Sequence, residues 1–580
     1  MTRFAALAHG VLGALVLCLP LMRLGWDQWA QTTVHLIWSF FLILGSVLLL
    51  FGRTGSFSQF HLVFPRWRTL WLVVLGTSLL SSLFSPFPHS AFPAFLNDLP
   101  AFAFFFLGAG SSEKRRFFYT RALVGAGVLG VGIALLLRGS FAAPLLNPNL
   151  LAALVLLTGP LALVYGFRAD LSRGERWFWA SASGVLLLGL FLSHSLAAYG
   201  TVLLQLLLAA GFLFKRNPRH GKVTTFILAG IGILMIVGLF WGRSEWGKLF
   251  HGDPDRWTWG VTALRAFTAH PVWGVGPGAF GEAYPAYRAS EWGLNSLYAH
   301  NFLLEFLAER GLLGAGALFL LLGSVLVRAG RSAGEGRRVG FVLGMVGFCF
   351  FNLFHIGFSF PALYWLFFLA AGLAGPEVTG GRDNSEVHAW SRKRPLLSGS
   401  LGLLLGLASF ALFRADQCLA RARFFMSGER WDRVQDQVTR GLFWNRWSPS
   451  LYELRATLRI KSQNWDGAKE DLVRAVTLAP AASGFRVELA ELLIEGGDMD
   501  RALKEYEHAT RLMPLTPAPW ERWGDLLSGQ GRKDDADRAY AGALRALSDP
   551  RVLGGDGARR AAWSARVTEK RKLNGAERKS

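Results

Sequence analysis

Cysteine is nearly missing: the 580 residues hold three, Cys18, Cys349 and Cys418, far apart and two of them inside apolar stretches. Such spacing supplies neither a disulfide framework nor a cysteine-based metal cluster, and no metal is expected. Charge is scarce as well. Asp, Glu, Lys and Arg make up 17% of the chain against 52% hydrophobic residues, a balance that no soluble globular class shows. Within that small charged fraction the acidic kind is in deficit, 40 against 61 Lys and Arg, for a net charge of +21. In a soluble protein this excess would suggest nucleic acid. Here many of the cations sit in short links between apolar runs, where they signal membrane orientation, and no nucleic-acid partner is expected.

What the chain has in abundance is long apolar runs, with 46 Phe and 22 Trp. A helix needs about 20 such residues to cross the hydrocarbon. Windows of that kind fall near 4–22, 31–52, 67–85, 94–110, 119–137, 148–166, 176–194, 196–214, 223–242, 300–327, 338–358, 361–376 and 396–413. The expected fold is therefore all-α, a polytopic membrane protein of about 12–13 transmembrane helices occupying residues 1–413. The pairs that meet at His194 and at Pro361 are tight. The first window lacks a small-residue cleavage site, and Leu17 spoils a lipobox before Cys18, so it reads as a helix and not as a removed signal.

Orientation follows from the cations. Every second link carries them: Arg53, Arg66 and Arg68; Lys114, Arg115 and Arg116; Arg168, Arg173 and Arg176; Lys215, Arg216, Arg219 and Lys222; Arg328, Arg331, Arg337 and Arg338; Arg392, Lys393 and Arg394. The opposite links are nearly bare, with Arg23 and Arg138 as exceptions. This pattern puts the N-terminus in the cytoplasm, and the long polar loop 243–299 and everything after Phe413 outside, which in a cell with two membranes is the periplasm.

After Phe413 the composition turns charged and Ala-rich, with an internal period. Ala468, Ala502 and Ala536 are 34 apart, as are Ala475, Ala509 and Ala543, and Pro480 and Pro514 close two of the units. This is the tetratricopeptide period, in which small residues let paired helices approach and proline ends the second helix. A periplasmic helical solenoid is expected over 414–555, with Val434 and Gly441 marking a degenerate earlier unit. Such arrays bind a protein partner on their concave face or serve as an extension. Residues 556–580, with Arg559, Arg560, Lys570, Arg571 and Lys572, read as a basic flexible tail.

The polar loop is the largest place for chemistry in a chain otherwise occupied with a bilayer. Arg256, Trp259, Ala263 and Phe267 have helical spacing, and Pro271 ends that helix. Gly274, Gly276 and Gly278 have no strand before them and no βαβ context after, which argues against a dinucleotide fingerprint; they form either a tight turn needing positive φ or a cradle whose amides approach a phosphate. A continuous helix from His300 to Val327 would be about 42 Å long against a core of about 30 Å, which puts His300, and with it Glu305, Glu309 and Arg310, toward headgroup depth or a wet cavity. There the helix dipole disfavours imidazolium and keeps the ring able to accept a proton; the alternative is an interfacial His that only caps the helix.

These residues resemble the O-antigen ligase and polymerase superfamily. The resemblance covers roughly 30–380 and rests on Arg256 followed by Trp259, the turn HPVWGVGPGAF, and AHNFLLEFLAERGLLG leading into a membrane helix; LLNPNLLAALVLLTGPLAL, with Asn147, Pro148 and Asn149, is similar to the family's Asn-Pro-Asn element. The chain departs from the family where a Ser-Arg-Gly-Ala type element precedes the eighth helix, reading SHSLAAYG with His194 and Ser195 instead. The second phosphate-binding Arg is then either missing or supplied by Arg265, Arg288 or Arg138. The resemblance implies a GT-C-like, inverting, metal-independent glycosyltransferase without cofactor. It would move a polysaccharide from undecaprenyl pyrophosphate to lipid A-core, to a second lipid-linked glycan or to a protein hydroxyl. His300 would be the catalytic base, with Arg256, Arg265, Arg288, Asn301, Glu305, Gly276 and Gly278 around the substrate. Two other classes stay open: a lipid-linked glycan transporter, for which Asn97 and Asp98 are the intramembrane polar candidates, expected near the outer end of their helix, and a membrane-anchored repeat scaffold.

Overall fold

A computed structural model describes residues 10, 12–17, 65–136, 147–216, 230, 254–289, 295–331, 337–375, 393–550 and 552–576. Among these residues every regular element is a helix. The first block runs α1 (Pro65–Leu83), α2 (Pro88–Ala109), α3 (Glu113–Leu136), α4 (Pro148–Gly166), α5 (Arg173–Ser193) and α6 (Leu196–Arg216). The polar loop contributes α7 (Pro254–Ala269) and α8 (Phe280–Tyr287), and α9 (Phe302–Arg331), α10 (Arg337–Phe351), α11 (Pro361–Leu373) and α12 (Lys393–Ser427) follow.

Among the described residues six segments are long and apolar enough to cross a membrane: α2, α3, α4, α5, α9 and Leu403–Ser427 of α12; α1, α6, α10 and α11 supply shorter apolar helices. The chain is thus a multi-pass helical membrane protein, and ten of the expected spans fall on these elements. The windows near 31–52 and 223–242 lie outside the described residues apart from Gly230, and that at 4–22 is described only at 10 and 12–17.

The centre of the bundle is α4, apolar on all sides and buried from Leu150 to Thr158, as expected of a helix enclosed by others. Asn147 starts it, its side chain accepting from the Asn149 amide at 2.9 Å while Pro148 takes the first helical position. The Asn-Pro-Asn element therefore works here as a cap. A second centre forms where Trp71 of α1 meets Phe105 of α2 and Phe368 of α11, with ring centroids 5.8 and 4.7 Å apart. The tight pair at His194 turns through two residues, with His194 in the left-handed region at φ 47°.

Past its apolar part, α12 continues without a break to Ser427, so the structure has no helix end at 413. It leads into α13 (Trp431–Trp444), α14 (Pro449–Lys461), α15 (Trp465–Leu478), α16 (Ser483–Glu495), α17 (Met499–Leu512), α18 (Pro517–Gly529), α19 (Lys533–Ser548) and α20 (Gly557–Ala576). All six alanines of the 34-residue spacing are fully buried. Val434 and Gly441 lie buried on α13, which packs against α12 as the earlier unit. The expected flexible tail is corrected: most of it is α20, whose Val567 is buried. Its cations find partners on earlier helices, Lys570 at 2.7 Å from Asp525 and Arg571 at 2.7 Å from Asp537. Those partners lie tens of residues upstream, so the local sequence shows only the unmatched basic half.

Candidate active site

Helix α7 carries Arg256 and Trp259 three residues apart, hence on one edge. The Trp259 ring stacks on the His300 imidazole, centroids 4.5 Å apart and planes inclined by 27°. Arg256, exposed, donates from Nη1 to the Phe354 carbonyl at 3.2 Å. The next residue, His355, is buried and stacks on Phe351 at 4.3 Å, near both Arg256 and His300. Arg256, Trp259, His300 and His355 thus form one cluster from three separate stretches of chain. His355 was not legible beforehand; its only signal was a histidine inside the apolar run FNLFHIGFS.

His300 is half-buried and takes a left-handed conformation, φ 54°, that few non-glycine residues adopt. It lies outside the helix. Asn301 is the cap, its Oδ1 accepting from the Leu303 amide at 3.0 Å and the Leu304 amide at 3.2 Å, and α9 begins at Phe302. The uninterrupted helix from His300 to Val327 is therefore corrected in two respects, since α9 is also broken at Gly311, whose φ and ψ are 62° and −171°.

The glycine turn is spliced into that break. Val275 and Gly276 donate to the carbonyls of Ala308 and Glu309 at 2.9 and 2.8 Å, and Leu312 donates back to Pro271 at 2.8 Å. Backbone bonds that an intact helix would make internally are made with the loop instead. Gly274, Gly276 and Gly278 all have positive φ, 71°, 109° and 66°. A Cβ on Gly276 would sit 2.4 Å from Ser85 Oγ, so only glycine fits. A serine edge on α1 and its extension fixes the turn: Ser81 and Ser85 donate to the carbonyls of Trp273 and Val275, each at 2.6 Å. The amide of Gly276 is thus taken by protein, and the run is built as a tight turn.

The remaining candidates fall elsewhere. Glu305 is buried and accepts from the Ala299 amide at 2.8 Å and from the Ser359 hydroxyl, which ties down the backbone next to His300. Arg265 lies two and a half helical turns beyond Arg256, on the opposite side of α7, and donates to the Arg288 carbonyl at 2.6 Å. Arg288 in turn donates to Asn295 and, at 2.6 Å, to the Leu512 carbonyl of the repeat domain; burial holds its guanidinium below the ordinary value. Arg265 and Arg288 therefore face the repeat domain and not the Arg256–His300 cluster. His194 is exposed at the end of α5, and Arg138 lies outside the described residues.

Asp98 and Arg310 form a bidentate buried pair at 2.7 and 3.0 Å, completed by Ser78 at 2.6 Å and Tyr364 at 3.1 Å from the carboxylate. Asp98 stands midway along α2, not near its outer end, and is 1% exposed. Among the described residues no three His, Cys, Asp or Glu side chains converge as a metal site requires.

Residues 181–319 match the model of a family described as O-Antigen ligase, a stretch that includes Arg256, Trp259 and His300. Residues 450–553 match one described as Tetratricopeptide repeat-like domain. No curated protein matches the chain. Over these two stretches the chain is similar to both families, in agreement with the loop motif and the 34-residue period. The similarity supports a membrane enzyme of the O-antigen ligase and polymerase type carrying a tetratricopeptide-like domain.

Proposed function

We propose that this chain is an inner-membrane O-antigen ligase, an inverting and metal-independent glycosyltransferase that moves a polysaccharide from undecaprenyl pyrophosphate to a hydroxyl of lipid A-core. The observation that carries the proposal is the meeting of Arg256, Trp259 and His300 within the stretch similar to O-antigen ligases. The alternation of cations supports a periplasmic location for this cluster and the repeat domain.

In the transfer, the acceptor oxygen attacks the anomeric carbon as the bond from that carbon to the pyrophosphate oxygen breaks. The hydroxyl proton passes to His300, and the pyrophosphate leaves with the electron pair. Pyrophosphate departs readily, so the protein's task is to stabilise its growing charge and to remove one proton. Arg256 suits the first because its charge is permanent and its fork matches phosphate oxygens. Trp259 assists the second by offering its ring face to the imidazolium formed when His300 takes the proton. Asn301 and Glu305 hold the backbone on either side of His300 in place. Displacement from the face opposite the leaving group inverts the anomeric carbon.

The pairing of Asp98 with Arg310 argues against a transporter, since the charged group in the best intramembrane position is already neutralised. The test is glycan transfer in purified membranes after His300→Ala and Arg256→Ala, with lipid A-core, a second lipid-linked glycan and a protein offered as separate acceptors. Each variant should lose about 100-fold or more in turnover. Wild-type turnover by both variants, in folded form, overturns the assignment. Preference for one of the other acceptors replaces ligase by polymerase or protein transferase.

A further inference from the structure

Between the membrane helices and the repeat domain lies a cavity of about 890 Å³. Its wall on one side is a single face of α2, with His89, Ser90, Pro93, Ala94, Asn97 and Asp98 at helical spacing. Its roof is made by the turns that begin α14 and α16, around Pro449 and Ser483. The repeat domain is held there by Arg288 through the Leu512 carbonyl and by Trp447 packing against Phe92 at 6.0 Å. The face from Ser90 to Asp98 spans about 12 Å along the helix, so the cavity is a well with the Asp98–Arg310 pair at its foot.

Three buried polar atoms among the described residues of this lining lack a hydrogen-bond partner, Glu282 Oε2, Arg310 Nε and His89 Nδ1, and the first and last belong to one contact. His89 Nε2 lies 2.7 Å from Glu282 Oε2, in a close but bent contact, while the other carboxylate oxygen accepts from Ser90 Oγ. Two acceptors do not approach to that distance, so Nε2 faces the carboxylate with its proton, and Nδ1 is the ring nitrogen left for a second partner. Nδ1 is buried and has no hydrogen-bond partner, an arrangement that native proteins rarely leave unanswered. The His89 side chain is 12% exposed, and it lines the well.

We propose that this chamber seats the acceptor glycan and that His89, oriented by Glu282, hydrogen-bonds through Nδ1 to one of its sugar hydroxyls. The inference rests on the transferase reading and names where the acceptor binds. The walls carry four carboxyl groups, Glu282, Glu305, Glu309 and Asp416, beside the Asp98–Arg310 pair. A ligand suited to them brings hydroxyl donors and little negative charge, which fits a sugar chain and not a pyrophosphate. The volume is at the upper end of the roughly 300–1,000 Å³ of small-ligand sites, enough for a short oligosaccharide and too little for a folded protein. Tyr298 and Glu305 belong to the same wall, and the Glu305 carboxylate binds the amide of Ala299, the neighbour of His300. The chamber wall is therefore tied to the backbone beside His300, the base that would receive the acceptor's proton. His89 is a positioning residue for the substrate, and no proton transfer is assigned to it.

The test uses the full chain in liposomes, with donor and acceptor varied separately. His89→Phe keeps a ring without the nitrogens and should raise the acceptor KM at least tenfold, with donor KM and kcat at saturating acceptor within threefold of wild type. His89→Asn, which restores a hydrogen-bonding side chain, should recover part of that loss. In parallel, delipidated core oligosaccharide and the repeat oligosaccharide freed from its polyprenyl carrier are tested for binding by saturation-transfer NMR. One of them should bind to wild type and not to His89→Phe, and which one binds separates the two glycan sources. An unchanged acceptor KM in His89→Phe, binding of neither saccharide, or competition only by a Ser- and Thr-rich peptide overturns the chamber assignment while the transferase reading stands. Absence of transfer by wild type with every acceptor removes the transferase reading, and this inference with it.

Discussion

His300 occupies a backbone region that costs a non-glycine residue about 1–2 kcal/mol, and the surrounding contacts over-determine it: Asn301 caps the next helix, Glu305 binds the preceding amide and Trp259 covers the ring. Removing the cover should be felt in the chemical step. Trp259→Leu should lower kcat about tenfold, the size of a partly desolvated cation–π contact, with donor KM little changed; steady-state transfer kinetics check it. The Asp98–Arg310 pair is a different kind of residue-scale feature. Asp98→Ala leaves a guanidinium buried and unpaired and should cost about 3–5 kcal/mol of stability, whereas replacing both partners by apolar residues should cost much less. Thermal unfolding in detergent separates the two. His300 was legible from its motif. The Asp98–Arg310 pair was not, because its two halves are 212 residues apart and each reads locally as an isolated charge in an apolar run.

At the scale of elements, the decisive feature is the splice of the glycine turn into α9. Its ingredients were visible, three alternating glycines in the loop and Gly311 and Gly314 inside the helix, but their partnership was not. Apolar periodicity runs unbroken through Gly311 and signals one long helix, and only the carbonyls of Pro271 and Val272 and the amides of Val275 and Gly276 reveal where the ladder is handed over. Gly311→Ala forces a side chain into the left-handed region and puts its Cβ 2.3 Å from the Val272 carbonyl oxygen. Gly316, five residues on in the same helix, has nothing within 4 Å. Gly311→Ala should therefore lose at least about 2 kcal/mol, while Gly316→Ala should be neutral or gain about 0.5–1 kcal/mol. Parallel melting curves of the two variants decide.

For the molecule as a whole, the two halves were legible to different degrees. Buried small residues at a fixed period identify a stack of helix pairs without any tertiary knowledge, as Ala468, Ala502 and Ala536 did. How that stack sits on the membrane helices depends on Arg288, Leu512, Phe92 and Trp447, contacts between distant residues that no period encodes. Deleting 415–580 should leave measurable transfer with a raised acceptor KM, since the Arg256–His300 cluster stays whole while the chamber loses its roof; a scaffold would lose all function. Acid should act on the repeats in a defined direction. Burial, and then the Glu453 carboxylate beside it, pushes Glu488 from 4.5 up to about 7. Between those values the folded chain holds the proton more tightly than the unfolded chain, so stability is full below about 4.5 and falls as pH rises toward 7. Burial alone would also raise Glu521, but hydrogen bonds from Arg566, Lys570 and Trp563 outweigh it and hold this group at about 2, so it stays ionised throughout that window. Hydrogen exchange in α14 and α16, corrected for intrinsic rates, should be slower at pH 5 than at pH 7.5, and Glu488→Gln should remove the difference.

Helix α12 joins these halves as a single rod, with no hinge among its described residues between Leu403 and Ser427. A rod transmits phase. One alanine inserted after Ala411 would swing everything beyond it by about 100° and advance it by about 1.5 Å, whereas seven would nearly restore the angle and lift it by about 10 Å. The pitch of one helix thus works as a gauge for the gap beneath the solenoid, and the height of the proposed chamber is set by a count of residues in a helix that also lends Asp416 to its wall.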